Sequence, residues 1–307
     1  MRAALPAEIN AAFTSQTIQE YDDQKCIAPL ISVRTQSRIP PAWARNLAGI
    51  LTRSTGHDHI NAYRAAANID IPCGYLPSYC SRAVAEHAVM AAMVLLRKLK
   101  NQISAFETFA RDGLTGHECQ GRNLLVVGVG NIGSEMVDIA RGLRMNIKGV
   151  DIVPKTKDIE YVFLTDGIPW ADIIMCAVPL TRDTNHMLSY DALKMAKRGV
   201  IIVNIARGEI TPVADMQRLL SEGIVGGLSM DVYEQEYRLG RLLRAGETIT
   251  DKTLAVIMEL KKRDNVLCTP HNAFNTEESV ARKASQSIEA VKTFLETKTF
   301  PHLVPDR

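Results

Sequence analysis

Three ionisable side chains each stand just past a strand-like apolar run: Arg207 after Val200-Ile201-Ile202-Val203-Asn204, Glu236 after the run from Ile224 to Val232, and His271 after Val266-Leu267-Cys268-Thr269-Pro270. Ligands of an open parallel sheet bind outside the carboxyl ends of its strands, so this placement predicts one shared edge for all three. A guanidinium there can anchor a carboxylate, and an imidazole can move a proton near neutral pH. An acid beside the imidazole tunes it. Such a set converging on a dinucleotide is equipped for chemistry on a 2-hydroxy acid.

The dinucleotide signature lies on the same expected edge. Leu124-Leu125-Val126-Val127 runs into Gly128-Val129-Gly130-Asn131-Ile132-Gly133, and a helical segment follows from Ser134 to Leu143. In this strand–turn–helix setting Gly128 permits the tight turn, Gly130 lets backbone amides approach a pyrophosphate, and Gly133 allows close helix packing. The next apolar run, Ile147 to Val150, ends in Asp151, about 20 residues beyond Gly133, where a ribose-binding acid belongs. A carboxylate there accepts from the adenosine hydroxyls and repels a 2′-phosphate, which predicts NAD rather than NADP. Lys155 and Lys157 follow closely and work against strict discrimination.

Elements that would position these groups are legible in the apolar pattern. Strand-like runs at 124–127, 147–151, 173–178, 200–204, 225–229 and 266–268 alternate with helical segments, the pattern of a doubly wound parallel sheet. Ahead of them, Pro29 to Val33, Leu47 to Thr52 and Ile69 to Leu76 indicate a smaller α/β lobe. Ser81 to about Arg111 reads as one long helix, and Thr276 to Glu296 as a terminal helix opened by Thr276, Glu277 and Glu278.

A chain of 307 residues suits two lobes. The expected division is a discontinuous substrate domain of residues 1–85 with 275–307, and an NAD-binding domain of residues 86–274.

With 46% hydrophobic and 23% charged residues the composition excludes a disordered or collagen-like chain, and a net charge of +2 offers no global field for nucleic acid or an anionic membrane. The apolar run Ala88 to Leu96 stops at Arg97, short of a membrane span. Met1 to Glu8 meets Pro6 before any apolar h-region forms, so a cytoplasmic location is expected. Six cysteines, at 26, 73, 80, 119, 176 and 268, lack a C-x-x-C pair and read as reduced packing residues. No metal site is expected, because His59, His87, His117, His186 and His302 lack ligand spacing.

The stretch Gly121 to Phe274 resembles the D-isomer-specific 2-hydroxyacid dehydrogenase family. The resemblance rests on Asn204-Ile205-Ala206-Arg207-Gly208, Met230-Asp231-Val232-Tyr233-Glu234-Gln235-Glu236 and Thr269-Pro270-His271 in that order. It reaches the first lobe through Arg53 to Ile60 and Ala85-Glu86-His87-Ala88. The resemblance implies two Rossmann-like lobes, an NAD-binding domain and a smaller flavodoxin-like substrate domain. It further implies reversible reduction of a 2-keto acid to a D-2-hydroxy acid, with Arg207 on the substrate carboxylate, His271 as acid/base, and Glu236 orienting the imidazole in its charged form.

Further cofactor contacts implied by resemblance are Val178, Pro179, Thr184, Ile205 and Asp231, the last meeting the nicotinamide amide. Within the family, Asp231-Val232-Tyr233-Glu234-x-Glu236 and Thr269-Pro270-His271-x-Ala273-Phe274 are similar to the D-lactate dehydrogenase-like subgroup. In that subgroup Tyr79 and Phe274 correspond to aromatics near the substrate and favour pyruvate. The amides near Thr55 and Gly56 match a second carboxylate contact, while His57 is unusual there. The helix region 86–104 resembles a dimer-forming element, implying a homodimer. A glyoxylate or hydroxypyruvate reductase or a phosphoglycerate dehydrogenase of the same family is the enzymatic alternative. An NADH-sensing, corepressor-like interaction protein is the alternative from another class. Residues 237–262 form a charged, insertion-like stretch whose shape the sequence does not define.

Overall fold

The computed structural model describes residues 29–35 and 37–305; Cys26 and the stretch Met1 to Glu8 lie outside the described residues. The chain divides into two compact units, one made of the residues up to Cys80 with those from Asn275 onward, the other of Ser81–Phe274. A division after residue 85 would cut the helix Ser81–Leu96, whose continuous backbone ladder keeps it whole in the larger unit.

In the smaller unit β1 (Leu30–Val33), β2 (Gly49–Thr52) and β3 (Cys73–Gly74) form a parallel sheet in that order, with α1 (Asp58–Ala67) joining β2 to β3. β2 is buried along its whole length, as a central strand covered on both faces should be. Ile50, Ile60, Tyr63 and Trp43 share its core. The terminal helix, Glu277–Thr297, starts at Thr276, whose side chain accepts from the Ser279 amide while Glu277 and Glu278 occupy the first turn. Both features satisfy or neutralise the helix's positive end.

The larger unit runs α2 (Ser81–Leu96), α3 (Leu99–Ala105), β4 (Asn123–Val127), α4 (Asn131–Gly142), β5 (Asn146–Val150), β6 (Glu160–Tyr161), α5 (Leu164–Trp170), β7 (Ile173–Cys176), α6 (Tyr190–Leu193), β8 (Val200–Asn204), α7 (Val213–Ser221), β9 (Val225–Met230), α8 (Glu236–Ala245), α9 (Lys252–Leu260) and β10 (Val266–Cys268). The strands form one parallel seven-stranded sheet in the order β10-β9-β8-β7-β4-β5-β6.

β4 and β7 are neighbours but not consecutive, and β4 also pairs with β5, so the winding reverses beside β4. A ligand crevice belongs there. Alternation along the strands serves both faces. Leu125 and Val127 join Ile174, Ile202, Leu193, Met216 and Leu254 in one core. On the other side α2 packs on α4, and Leu95 and Ile201 both border Gly227.

The expected single helix over 81–111 is two helices. Lys98 adopts φ 51°, a left-handed conformation that ends one α-helical ladder and caps the next. Its ammonium then donates to the Gly113 carbonyl at 2.8 Å, fixing the break. Residues 237–262 form α8 and α9, with Gly246 in the left-handed conformation at the first C-terminus and Asp251 capping the second helix by accepting from the Leu254 amide. Leu239, Leu242, Leu254 and Ile257 face the core and the charges face outward, so the stretch reads as polar while being well anchored.

Candidate active site

The glycine-rich turn joins β4 to α4 at the sheet's winding reversal. Gly128 has φ +94° and a side chain there would collide with Ala177 and Val178, so this position requires glycine. Gly133 lies against the Gly128 carbonyl oxygen and also leaves no room for a Cβ. Gly130, the residue capping α4, is different: a Cβ added there would meet nothing within 4 Å. Open space beside the first amides of a helix fits a dinucleotide pyrophosphate. Asn131 and Ile132 form the first turn of α4.

At the end of β5 the Asp151 carboxylate accepts from the Val129 amide at 2.7 Å and from the Val153 amide at 2.9 Å. These bonds tie the strand end to the glycine-rich turn and occupy two of the carboxylate's four acceptor positions. Beyond β7, Val178 flanks Gly128. Thr184 builds the following loop by donating to the Pro179 carbonyl at 2.6 Å and accepting from the Thr181 amide at 2.8 Å. Ile205 is buried one residue past β8.

Arg207 leaves β8 on a loop that the fully buried Asn204 organises. Asn204 Oδ1 accepts from the Ala206 amide at 2.9 Å, and Nδ2 donates to the Arg207 carbonyl and to Thr211 Oγ1 at 2.8 and 2.7 Å. Both polar atoms of that side chain are thereby spent on the loop from Ala206 to Thr211, with one bond on the Arg207 carbonyl itself. The next residue, Gly208, lies directly against the backbone of Tyr233 and Glu234, so no larger residue fits.

Glu236 and His271 meet as the sequence anticipates: Nδ1 of His271 lies 2.6 Å from Oε1 of Glu236, both side chains partly buried. A carboxylate on Nδ1 assigns the proton to that nitrogen and leaves Nε2 to exchange protons. His271 sits at φ 51°, a strained conformation for a side-chain-bearing residue. The strain is held by Asp231, which is buried at the end of β9. Its Oδ1 accepts from Thr269 Oγ1 at 2.6 Å and the Asn272 amide at 2.8 Å, and its Oδ2 from the Ala273 amide at 2.9 Å.

Thr269 Oγ1, donating to Asp231, lies 3.3 Å from Nε2 of His87 on α2. The Tyr233 hydroxyl bridges the carbonyls of Met230 and Thr269, and burial pushes its pKa far up, keeping it a donor. Neither Asn204, Thr269, Tyr233 nor His87 was assigned a function in the sequence. All four lie inside the quoted motifs, and that placement is the signal the sequence offers.

Residues expected at the substrate in the smaller unit occupy one loop pair. Thr55 Oγ1 donates to the Leu76 carbonyl at 3.0 Å, and Ser54 Oγ to the Gly56 carbonyl at 2.8 Å. Tyr79 is buried, and the Arg282 Nε donates to its carbonyl at 2.8 Å. The unusual His57 turns its ring edge-on to Tyr75, with 5.1 Å between centroids. Phe274 ends the larger unit and is partly buried. Among the described residues no cluster of His, Cys, Asp and Glu could hold a metal, and no helix is long and apolar enough to cross a membrane.

The family model for the NAD binding domain of D-isomer specific 2-hydroxyacid dehydrogenases matches residues 87–273. The chain belongs to this family. D-lactate dehydrogenase of Lactiplantibacillus plantarum is 34% identical over 254 residues, covering 81% of this chain and 75% of that one. An aromatic 2-oxoacid reductase of Clostridium sporogenes is 32% identical over 80% of this chain and 75% of its own. Among solved structures, D-lactate dehydrogenase from Aquifex aeolicus, complexed with NAD and lactic acid, superposes with a TM-score of 0.85 at 26% identity, covering 95% of this chain and 91% of that one. This chain is therefore an NAD-dependent D-2-hydroxyacid dehydrogenase with a Rossmann-type NAD domain.

Proposed function

We propose that this dehydrogenase reversibly reduces small 2-oxo acids, with pyruvate the favoured one, to the D-2-hydroxy acid. The observation that carries the reading is the 2.6 Å Glu236–His271 pair at the ends of β9 and β10, beside the β8 end that carries Arg207. Its similarity to D-lactate dehydrogenases supports pyruvate. Bound NADH supplies the hydride that C2 of the substrate receives. Arg207 pairs with the substrate carboxylate and polarises the C2 carbonyl. His271 donates its Nε2 proton to the carbonyl oxygen, and Glu236 holds the ring in register. In the oxidation direction the neutral ring accepts that proton.

Gly128, Gly130, Asn131, Ile132 and Gly133 cradle the pyrophosphate, with Val178, Pro179, Thr184, Ile205 and Asp231 as further cofactor contacts. Asp231 also shapes the His271 loop. Thr55, Gly56, Tyr79 and Phe274 contact the substrate. Initial rates of NADH oxidation with pyruvate, 2-oxobutyrate, phenylpyruvate, oxaloacetate, glyoxylate, hydroxypyruvate and 3-phosphohydroxypyruvate test the reading. Dominant turnover of a small aliphatic acid supports it, a glyoxylate or hydroxypyruvate preference overturns the substrate assignment, and tight NADH binding without turnover points to a sensor.

Asp151 sets the preference for NADH over NADPH. Asp151→Ala is expected to lower the NADH/NADPH ratio of kcat/KM by about 10- to 100-fold, the worth of a charged hydrogen-bond acceptor. An unchanged ratio in steady-state assays would contradict the role.

The homodimer uses the region 86–104. Met90, Met93, Leu99 and Ile103 are exposed there, Ile103 to 66%, and Phe106 just beyond is exposed to 75%. An apolar strip of this kind is costly in water and suits a second copy. Light scattering at micromolar concentration should give a dimer, with Ile103→Glu shifting it to monomer; a monomeric native mass would contradict the interface. A cytoplasmic setting fits the free thiols among the described residues, of which buried Cys176 is pushed up to about 12 by desolvation.

A further inference from the structure

The smaller unit gathers cations at the carboxyl edge of its sheet. Register pairs Val33 with Thr52, so Arg34 and Arg53 leave β1 and β2 side by side. β3 leads on the same edge into the segment carrying Tyr79. From the terminal helix, Glu277–Thr297, Lys283 brings its Nζ within 5.0 Å of the centre of the Tyr79 ring. One residue earlier, Arg282 binds the Tyr79 carbonyl at 2.8 Å. Arg53 is fixed to the same helix by donating from Nε to the buried Ser287 Oγ at 3.2 Å, and Ser287 in turn bonds the Lys283 carbonyl at 2.6 Å.

The grouping is electrostatically costly. Burial, Arg53 and Arg34 push the Lys283 ammonium down to about 8, with Cys80 acting the other way. Burial and Arg34 likewise lower Arg53. Cations crowded at a ligand-binding sheet edge are relieved by an anion entering among them. A methyl group such as that of pyruvate gives no such relief beside Tyr79.

Resting on the reading of Tyr79 as a substrate contact, we propose that Lys283, with Arg53 and Arg34, forms a subsite for a second anionic group on the substrate. The chain then accepts 2-oxo dicarboxylic acids as well as pyruvate. Lys283 is the specificity-determining residue, and the Tyr79 ring positions its ammonium from one side.

The test compares oxaloacetate, with malate quantified as product, against 4-methyl-2-oxopentanoate, whose isobutyl group has nearly the shape of a carboxymethyl group without its charge. Pyruvate is run alongside. The native enzyme should favour oxaloacetate in kcat/KM by at least about tenfold, and Lys283→Met should lower that ratio by about 10- to 100-fold. The preference should also decline above pH 8 as the ammonium deprotonates, and Lys283→Arg should retain it there. Guanidinium groups stay charged through this range, and the Cys80 thiol, raised by burial, stays protonated at the start of it.

A ratio near or below one, or a ratio that Lys283→Met leaves unmoved, overturns the subsite while pyruvate turnover keeps the underlying reading intact. Absence of turnover with all three acids overturns both.

Discussion

His271→Ala is expected to lower kcat for pyruvate reduction by about 10²- to 10⁴-fold, the range that a general acid contributes. NADH should still bind with an unchanged Kd, because the glycine-rich turn and Asp151 lie on β4 and β5, while His271 follows β10 across the sheet. The loop should also survive the substitution. Its shape is set by the Asp231 carboxylate through the Thr269 hydroxyl and the Asn272 and Ala273 amides, none of which belongs to the histidine side chain. A fluorescence titration with NADH and a steady-state rate measurement on one sample separate the two effects. Loss of NADH binding in parallel with kcat would mean that His271 supports the fold of the site and not the proton transfer.

Arg207→Ala should act at a different stage. Two charge-assisted hydrogen bonds to a carboxylate contribute about 1.5–3 kcal/mol each, so kcat/KM for pyruvate should fall by roughly 10²- to 10⁴-fold, with much of the loss in KM. Arg207→Lys keeps the charge without the planar fork and should fall between. The loop itself remains, since Asn204 grips the Arg207 carbonyl at 2.8 Å and the Ala206 amide at 2.9 Å. Circular dichroism and NADH binding should match the native protein. A kcat/KM within threefold of native for Arg207→Ala would remove the guanidinium from the substrate.

These expectations depend on features that differ in how far the sequence reveals them. The strand runs, Gly128 to Gly133 and Asp151 are legible because buried parallel strands are continuously apolar, and the tight turn and the acid have fixed offsets from them. Arg207, Glu236 and His271 are legible for the same reason, each standing past a strand end. What shapes their loops is long-range and leaves no period. Asp231 reaches Asn272 and Ala273 across neighbouring strands, and the Tyr233 hydroxyl joins the carbonyls of Met230 and Thr269.

The helix break at Lys98 is likewise hidden, because lysine is an ordinary helix former and its left-handed backbone is stabilised by a bond to Gly113, distant in the chain. In residues 237–262 the apolar spacing of Leu239 and Leu242, and of Leu254 and Ile257, carries a helical signal that the surrounding charges obscure. The two-residue strand β6 is too short to give an alternation at all.

The cationic edge shows the same limit from another side. Arg34, Arg53 and Lys283 are far apart in the chain, and only the parallel register of β1 and β2 with the docking of the terminal helix brings their charges together. Each alone reads as a solvated surface residue.

Stereospecific reduction of a 2-oxo acid by this chain's own residues is read from chiral analysis of the product formed from pyruvate and NADH, run in parallel with the native protein and His271→Ala. D-lactate is expected from the native protein, in amounts equal to the NADH oxidised, and almost none from the variant. Formation of L-lactate, or equal D-lactate from both proteins, would contradict that reading.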